Sequence, residues 1–172
     1  MRRHVVLVGL SGSGKSVAGQ AAARIVDGRF VDIDEEIESR EGISIREIFK
    51  QRGEQAFRRL ESELVDAVLT GEPSIVATGG GWAAEPGNME RVVGRAVVIH
   101  LRVDPAIAAT RLAGATGRAL LDGDDREGVL RTMLERRVGA YALAEHVVDT
   151  VDQNPEEVGR LVAALARDSA GW

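Results

Sequence analysis

Short apolar runs recur along the chain and alternate with longer amphipathic segments. Continuous apolar runs of this kind are typical of strands buried on both faces of a parallel sheet. Five runs are predicted as strands, at residues 5–8, 29–33, 74–78, 96–101 and, with a weaker pattern, 146–151. Helical patterns lie between and after them, at residues 15–26, 53–69, 105–112, 126–140 and 155–166. The alternation predicts an α/β fold, with a mostly parallel sheet covered by helices on both faces.

One segment differs in texture from the rest. Residues 113–126, AGATGRALLDGDDR, are rich in glycine and aspartate and have little apolar periodicity, which predicts a mobile loop or lid. No internal repeat, low-complexity tract or long linker divides the chain. We therefore expect a single domain over residues 1–172.

The balance of charge limits the partners that this chain can have. Its 22 basic and 27 acidic residues give a net charge of −5, which argues against nonspecific nucleic-acid binding. An anionic ligand must therefore be held by a local cluster of lysine and arginine. The absence of cysteine excludes disulfides, thiolate metal sites and cysteine nucleophiles. The apolar run at residues 4–10 is too short for a signal peptide or a membrane span, so we expect a cytoplasmic protein.

Unusual sequences follow each of the first three predicted strands. They are GLSGSGKS at residues 9–16, DIDEE at residues 32–36 and TGGG at residues 78–81. Ligands of parallel α/β sheets bind beyond the carboxyl ends of the strands. The three sequences therefore fall where a binding site is expected.

The first of these sequences matches the phosphate-loop pattern G-x-x-x-x-G-K-[ST] between a strand and a helix. Backbone N–H groups of such a loop surround nucleotide phosphates, here those of Gly12, Ser13 and Gly14. Lys15 would reach the β- and γ-phosphates and Ser16 would ligate Mg²⁺. The alternative, a glycine-rich turn with an accidental lysine, is disfavoured by the strand–loop–helix context. The motif predicts a nucleoside triphosphate but no particular reaction.

Two aspartates, Asp32 and Asp34, stand two apart at the end of the second predicted strand, so both side chains should point to the same side. In one interpretation they form a solvated strand end, with Asp34 capping the next helix. In the other, Asp32 holds Mg²⁺ through water and Asp34 orients an attacking hydroxyl. The neighbouring phosphate loop favours the second interpretation.

Several arginines are ambiguous on spacing alone. Arg58 lies three residues before Glu61, which sits on the apolar stripe of the helix predicted at 53–69. The two form either an exposed ion pair or a guanidinium that is aimed into a site and steadied by a carboxylate. Arg118 lies in the predicted lid, where it could stabilise a transferring phosphoryl group. Arg136 and Arg137 precede Tyr141 by about one helical turn.

Together these motifs resemble the shikimate kinases. The resemblance covers nearly the whole chain and rests on GLSGSGKS, DIDEEIESREGISIREIFKQRGEQAFRRLE, TGGG, a lid of the form GRxLL, R-x-x-x-Y and a late Asn-Pro. It implies a P-loop kinase of the nucleoside-monophosphate-kinase type with a central five-stranded parallel sheet. It further implies transfer of the γ-phosphoryl group of ATP to the 3-hydroxyl of shikimate, in aromatic amino-acid (chorismate) biosynthesis.

The resemblance also assigns roles to residues of this chain. In the substrate-binding region, about residues 34–61, Asp34 would bind the shikimate hydroxyls, with Ile45, Phe49, Phe57 and Glu61 lining and supporting the pocket. Arg58 and Arg137 would clamp the carboxylate of shikimate. Of the two adjacent arginines, Arg137 is selected over Arg136 by its spacing to Tyr141. The glycines Gly79, Gly80 and Gly81 would pack against the substrate, with the Gly80 N–H on the ligand. Lys15 and Arg118 would contact the phosphates, and Arg111 and Pro155 the adenine.

Two residues depart from the family pattern. Trp82 replaces a small residue and either covers the sheet or narrows the pocket, and Ala119 replaces a proline of the lid. We expect an ATP- and Mg²⁺-dependent monomer that binds neither nucleic acid nor membrane. Two alternatives remain, a gluconate-type kinase with a similar phosphate loop and a nucleotide-binding protein without catalysis.

Overall fold

The centre of the fold is a five-stranded, all-parallel sheet. In the computed structural model, which describes residues 1–113 and 125–172, the strand order is β2-β3-β1-β4-β5. The strands are β1 His4–Val8, β2 Arg29–Asp32, β3 Ser74–Ala77, β4 Ala96–Arg102 and β5 His146–Asp149. Each of the five predicted apolar runs forms one of them, and every pairing is parallel. The predicted fold class is confirmed.

Eight α-helices pack around the sheet in the described part of the chain. They are α1 Lys15–Val26, α2 Ile33–Glu41, α3 Ile45–Arg52, α4 Glu54–Val68, α5 Asn88–Val92, α6 Pro105–Arg111, α7 Arg126–Tyr141 and α8 Pro155–Ala170. A 3₁₀-helix spans Trp82–Ala84. The five predicted helices are present, and α8 runs four residues beyond its predicted end. Helices α2, α3 and α5 are additional.

The start of α2 corrects the prediction for the acidic pair. Strand β2 ends at Asp32, so Asp32 and Asp34 do not share a strand. Asp32 is the N-cap of α2, where its Oδ1 accepts hydrogen bonds from the backbone N–H groups of Asp34 and Glu35. Asp34 is therefore in the first helical turn and is not the capping residue. The Asp32 side chain therefore both caps α2 and is the side chain predicted to hold Mg²⁺ through water.

The two faces of the sheet are covered by side chains of different size. On one face, Val6 and Val8 of β1 pack with large side chains that include Ile48, Phe57 and Trp82. On the other face, Val5 and Leu7 pack under α1 and α8, whose inward positions are mostly alanine. A Cβ added at Gly159 of α8 would lie 2.6 Å from the Ala21 side chain of α1. These two helices therefore pack at close range.

The strand order places a cleft at the carboxyl ends of β1 and β3. From the central strand β1 the chain first builds one side of the sheet, with β2 and β3, and then the other side, with β4 and β5. Ligands of parallel α/β sheets bind where the strand order changes direction in this way. The phosphate loop follows β1 and the triple glycine follows β3, so both lie at this cleft. In the described residues, no helix is long and apolar enough to cross a bilayer.

Candidate active site

The loop between β1 and α1 lies at the cleft, and within it the Ser13 N–H donates to the Leu10 carbonyl at 3.1 Å. Gly12 and Gly14 have φ of 83° and 86°, in the left-handed region that glycine adopts without strain. No side chain caps α1 and no acidic residue belongs to its first turn, although the Asp32 carboxylate accepts a hydrogen bond from Ser16 of that turn. This arrangement suits an anion at the start of α1.

Lys15 is held at the centre of this loop. Its side chain is buried, and Nζ donates hydrogen bonds to the Gly9 and Leu10 carbonyl oxygens at 2.8 and 2.9 Å. An adjoining cavity of about 380 Å³ is lined in part by predicted site residues, namely Gly12, Ser13, Gly14, Lys15, Ser16, Asp32, Asp34, Gly80, Arg111 and Pro155. Most of the residues predicted for the nucleotide therefore share one cavity with the aspartate predicted to orient the hydroxyl.

Ser16 and Asp32 meet on the wall of the cavity. The Ser16 hydroxyl donates a short hydrogen bond to Asp32 Oδ2, the carboxylate oxygen that does not cap α2. A hydroxyl beside a carboxylate offers the hard oxygen donors that Mg²⁺ prefers, and Mg²⁺ usually retains several waters. No cluster of three or more acidic, histidine or cysteine side chains that could hold a metal occurs in the described residues. The residues present fit a Mg²⁺ ion held mainly through water and phosphate.

The Arg58–Glu61 pair on α4 is buried. Arg58 Nη1 donates to Glu61 Oε2 at 2.8 Å, and the two side chains are 9% and 0% exposed. The alternative of a solvated surface pair is therefore wrong. Arg58 also contacts the more exposed carboxylates of Glu54 at 3.2 Å and Glu85 at 3.8 Å.

Burial changes the acidity of this pair. Burial and the nearby negative charge of Asp34 raise the pKa of Glu61 from 4.5 to about 7. The positive charge of Arg58 lowers this pKa, but by less than burial raises it. Burial by itself would lower the pKa of Arg58, but Glu61 and Glu54 outweigh it and the pKa is raised. Arg58 therefore stays charged, whereas Glu61 is poised to take a proton near neutral pH.

The triple glycine lies against the charged side chains of the site. A Cβ on Gly79 would collide with Glu61 Oε1 and lie 3.1 Å from Asp34 Oδ1. A Cβ on Gly81 would lie 2.6 Å from Arg58 Nη2. Glycine is therefore required at these positions because the backbone approaches the protein's own site residues closely. This requirement adds to the predicted one, which is contact with the substrate.

Gly80 lies between the phosphate loop and helix α7. A Cβ there would lie 3.0 Å from the Ser11 N atom of the phosphate loop and 3.5 Å from Arg137 Nη1 of α7. Arg136, its neighbour in sequence, is exposed. The structure therefore brings Arg137, the arginine that the resemblance selects through its spacing to Tyr141, to the triple glycine.

Arg111 and Pro155 mark the far end of the cavity. Arg111 donates to the Gly12 carbonyl at 3.3 Å and to the hydroxyl and carbonyl oxygens of Thr150 at 3.1 and 2.5 Å. Pro155 is the first residue of α8, behind a capping box of Asn154 and Glu157. The nucleobase of a nucleotide whose phosphates occupy the loop would lie between Arg111 and Pro155.

Some site features were missed or cannot be described. Thr78, Thr150 and Gln153 line the cavity, and Ser11 approaches Gly80, but no spacing rule in a single sequence selects them. Residues 114–124, including Arg118 and Ala119, lie outside the described residues. Trp82 is 1% exposed and belongs to the core cluster under the sheet, in agreement with the first of its two alternatives.

Comparison with known proteins identifies close relatives. The shikimate kinase family model matches residues 11–166. The chain is 39% identical over 165 residues to a shikimate kinase of Mycobacterium avium, covering 95% of this chain and 93% of that protein. It is similar in structure to a shikimate kinase from Acinetobacter baumannii in complex with shikimate, with a TM-score of 0.91, 28% identity and coverage of 96% and 93%.

A more distant structural likeness concerns the gluconate-type alternative. A gluconokinase from Sinorhizobium meliloti matches with a TM-score of 0.63 and 21% identity, over 99% of this chain and 94% of that one. At this identity the likeness shows the shared fold alone.

Proposed function

Because the chain belongs to the shikimate kinase family, we propose that it transfers the γ-phosphoryl group of ATP to the 3-hydroxyl of shikimate, giving shikimate 3-phosphate and ADP. ATP is the co-substrate that a kinase of this family uses. The observation that carries the proposal is the Gly80 junction, where the phosphate loop meets Arg137. An acceptor anchored there by a carboxylate has its hydroxyls between Asp34 and the phosphate loop.

Nucleotide binding is assigned to the loop and the far end of the cavity. The N–H groups of Gly12, Ser13 and Gly14 surround the phosphates, and Lys15 turns from the loop carbonyls toward the β- and γ-phosphates. Arg111 and Pro155 lie beside the adenine. Ser16 and, through water, Asp32 would hold Mg²⁺. When bound, this ion offsets negative charge on the phosphates.

Acceptor binding is assigned to the acidic and basic residues around the triple glycine. The planar guanidinium groups of Arg58 and Arg137 suit a bidentate contact with the shikimate carboxylate. The Gly80 N–H adds a main-chain donor, with Gly79 and Gly81 packing against the ring. Asp34 accepts a hydrogen bond from the attacking hydroxyl and orients it toward the phosphorus.

The reaction follows as a direct, in-line displacement without a covalent enzyme intermediate. The hydroxyl oxygen forms a bond to the γ-phosphorus as the bond to the β–γ bridging oxygen breaks, and the hydroxyl proton passes to Asp34 or to a phosphate oxygen. Lys15 and Arg118 offset the charge that spreads over the transferring group. Closure of the lid predicted at residues 113–126 would exclude water and suppress ATP hydrolysis. We place the enzyme in the cytoplasm as a single-domain monomer.

Measurement of ADP release tests this assignment. ATP and Mg²⁺ are supplied with shikimate, quinate, gluconate or no acceptor in parallel. We expect strong stimulation by shikimate alone. Stimulation by gluconate instead would favour the gluconate-type alternative, and ATP binding without stimulation by any acceptor would favour a binding protein without catalysis.

A further inference from the structure

We propose that Tyr141 is a positioning residue that fixes the Gly80 peptide through its hydroxyl and thereby sets the geometry of the acceptor site. The Tyr141 hydroxyl donates a hydrogen bond to the Gly80 carbonyl oxygen at 2.6 Å, across 61 positions of sequence. The inference deepens the proposed function, because Gly80 is assigned there to the acceptor.

The three glycine carbonyls differ in how they are held. The carbonyl oxygens of Gly79 and Gly81 accept backbone N–H groups of the following 3₁₀ turn, those of Trp82 at 3.2 Å and Ala84 at 3.1 Å. The Gly80 carbonyl instead accepts a hydrogen bond from a side chain of a different element, α7. The middle peptide is therefore held by tertiary structure, and its neighbours by local structure.

This contact matters because glycine gives the backbone the greatest conformational freedom of any residue. With no Cβ to restrict φ and ψ, peptide planes in a triple glycine can rotate unless hydrogen bonds hold them. Rotation of the Gly80 carbonyl would also reorient the Gly81 N–H on the same peptide plane, because that plane is rigid. A fixed hydroxyl donor can therefore prevent the binding surface from adopting other orientations.

The tyrosine ring is itself held firmly. Tyr141 is 1% exposed and its ring stacks on that of His100, with 4.6 Å between centroids. Burial, together with the charges of Arg102 and Lys15, lowers the pKa of His100 to about 4, so the stacked imidazole is neutral at neutral pH. Burial raises the pKa of Tyr141 to about 12, so the hydroxyl retains the proton that it donates.

Helix α7 delivers two site groups from one face. Arg137 precedes Tyr141 by four residues, the spacing of neighbours on a helix surface. The charge and side-chain hydrogen bonding of Arg137 oppose the rise in the Tyr141 pKa, which indicates that guanidinium and hydroxyl interact. Tyr141 therefore holds the Gly80–Gly81 peptide beside Arg137, next to the Gly80 N–H that is assigned to the acceptor.

The variant Tyr141→Phe tests the proposal, since it keeps the ring and its stacking on His100 but removes the hydroxyl. We expect KM for shikimate to rise about tenfold, because the part-buried Gly80 carbonyl loses its donor and the acceptor site loses its fixed geometry. KM for ATP should stay within about twofold. The matched control is Ser74→Ala, which removes a buried hydroxyl that contacts His4 Nδ1 at 3.2 Å at the opposite end of β3. It should lower stability without changing KM for shikimate.

Amide hydrogen exchange over residues 78–84 provides a readout that does not depend on the substrate. Exchange at Gly81 and Trp82 should accelerate in Tyr141→Phe but not in Ser74→Ala. Unchanged exchange and an unchanged KM in Tyr141→Phe would overturn the proposal, as would an equal rise in KM in Ser74→Ala. Should the wild-type protein show no turnover with shikimate, the proposed function fails, while exchange still decides whether Tyr141 fixes Gly80.

A second measurement requires no disruptive substitution. Tyr141 is the single tyrosine of the chain, so uniform incorporation of fluorotyrosine gives one fluorine resonance. We expect saturating shikimate to shift that resonance, because the ring hydroxyl contacts the acceptor site directly. An unshifted resonance in a protein shown to bind shikimate would also overturn the proposal.

Discussion

The phosphate end and the acceptor end of the proposed site are built to hold anions by different means. At the phosphate end, main-chain N–H groups, an uncapped helix and Lys15 converge within one loop of contiguous sequence. At the acceptor end, guanidinium groups come from α4 and α7, and the buried Glu61 carboxylate orients that of Arg58. The first end is fixed by backbone geometry, and the second by tertiary packing of charged side chains.

This difference determines how each end responds to its surroundings. Backbone N–H groups and a helix dipole carry no titratable proton, so these donors of the phosphate loop do not change their charge with pH. The acceptor end includes Glu61, whose pKa burial has raised toward neutrality. It should therefore respond to pH, and to substitutions that leave the phosphate end unaffected.

The largest expected effect concerns the residue between the two ends. Asp34→Asn should lower kcat by about two to four orders of magnitude, because an amide cannot accept the hydroxyl proton or orient it equally well. KM for ATP should change little. Steady-state kinetics of ADP release measure both values, with the exposed neighbour Glu35→Gln as a matched control. Normal turnover in Asp34→Asn would remove this side chain from the mechanism.

The next effect separates the acceptor end from the phosphate end. Arg58→Lys retains a charge but loses the planar, bidentate guanidinium, so KM for shikimate should rise about ten- to hundredfold. Arg59→Lys, on the exposed side of the same helix, should change nothing. The KM for ATP serves as the internal reference in both variants. An equal rise in both KM values would mean that the two ends are not independent.

A third prediction concerns pH and stability. The folded-state pKa of Glu61 lies above its ordinary value of 4.5, at about 7, so between these values the folded chain keeps a proton that the unfolded chain has released. The contribution of this group to the free energy of unfolding therefore falls as pH rises through that window. Glu61→Gln removes the dependence.

Urea unfolding at about pH 5 and about pH 8 measures this contribution. The stability of wild type relative to Glu61→Gln should fall by about 2 kcal/mol between the two conditions. The exposed Glu63→Gln on the same helix should keep the wild-type dependence. Parallel pH profiles for the wild type and Glu61→Gln would show that Glu61 does not titrate in this window.

The smallest effect refines the acceptor end. Glu85 lies 3.8 Å from Arg58 Nε and is 39% exposed, so it competes weakly with a substrate carboxylate for the guanidinium. Glu85→Gln should lower KM for shikimate by about two- to fivefold, with kcat unchanged. Glu90→Gln, exposed on α5, is the control for net charge alone. A raised KM in Glu85→Gln would instead show that Glu85 helps to orient Arg58.

The same contrast explains what the sequence could predict. The phosphate loop is encoded in eight contiguous residues with a fixed backbone, so its geometry follows from the motif. The first four strands are also predictable from their apolar runs, whereas the fifth, His146–Asp149, has a weaker pattern because two of its four residues are exposed. For the acceptor end, helical spacing identified Arg58 and Glu61 as neighbours but not their burial, which depends on how α4 packs against the glycines.

Other features were hidden for identifiable physical reasons. Helix α2 has a largely polar sequence with weak periodicity, and α3 is only eight residues long, although Ser44 and Glu47 form a capping box that marks its start. Asp32 was not recognised as the cap of α2 because the apolar Ile33 extended the predicted strand. The Tyr141 contact joins residues 61 positions apart, which no local pattern reports.

The alanine and glycine contact between α1 and α8 has a consequence for how this protein can change. One helix begins at the phosphate loop and the other at Pro155, so their separation sets the distance between that loop and the residue proposed to lie beside the adenine. Gly159 has no space for even one methyl group against Ala21. A larger side chain at Gly159 or Ala21 would therefore change the distance between the two ends of the proposed nucleotide site. Neither residue is among those assigned to the nucleotide.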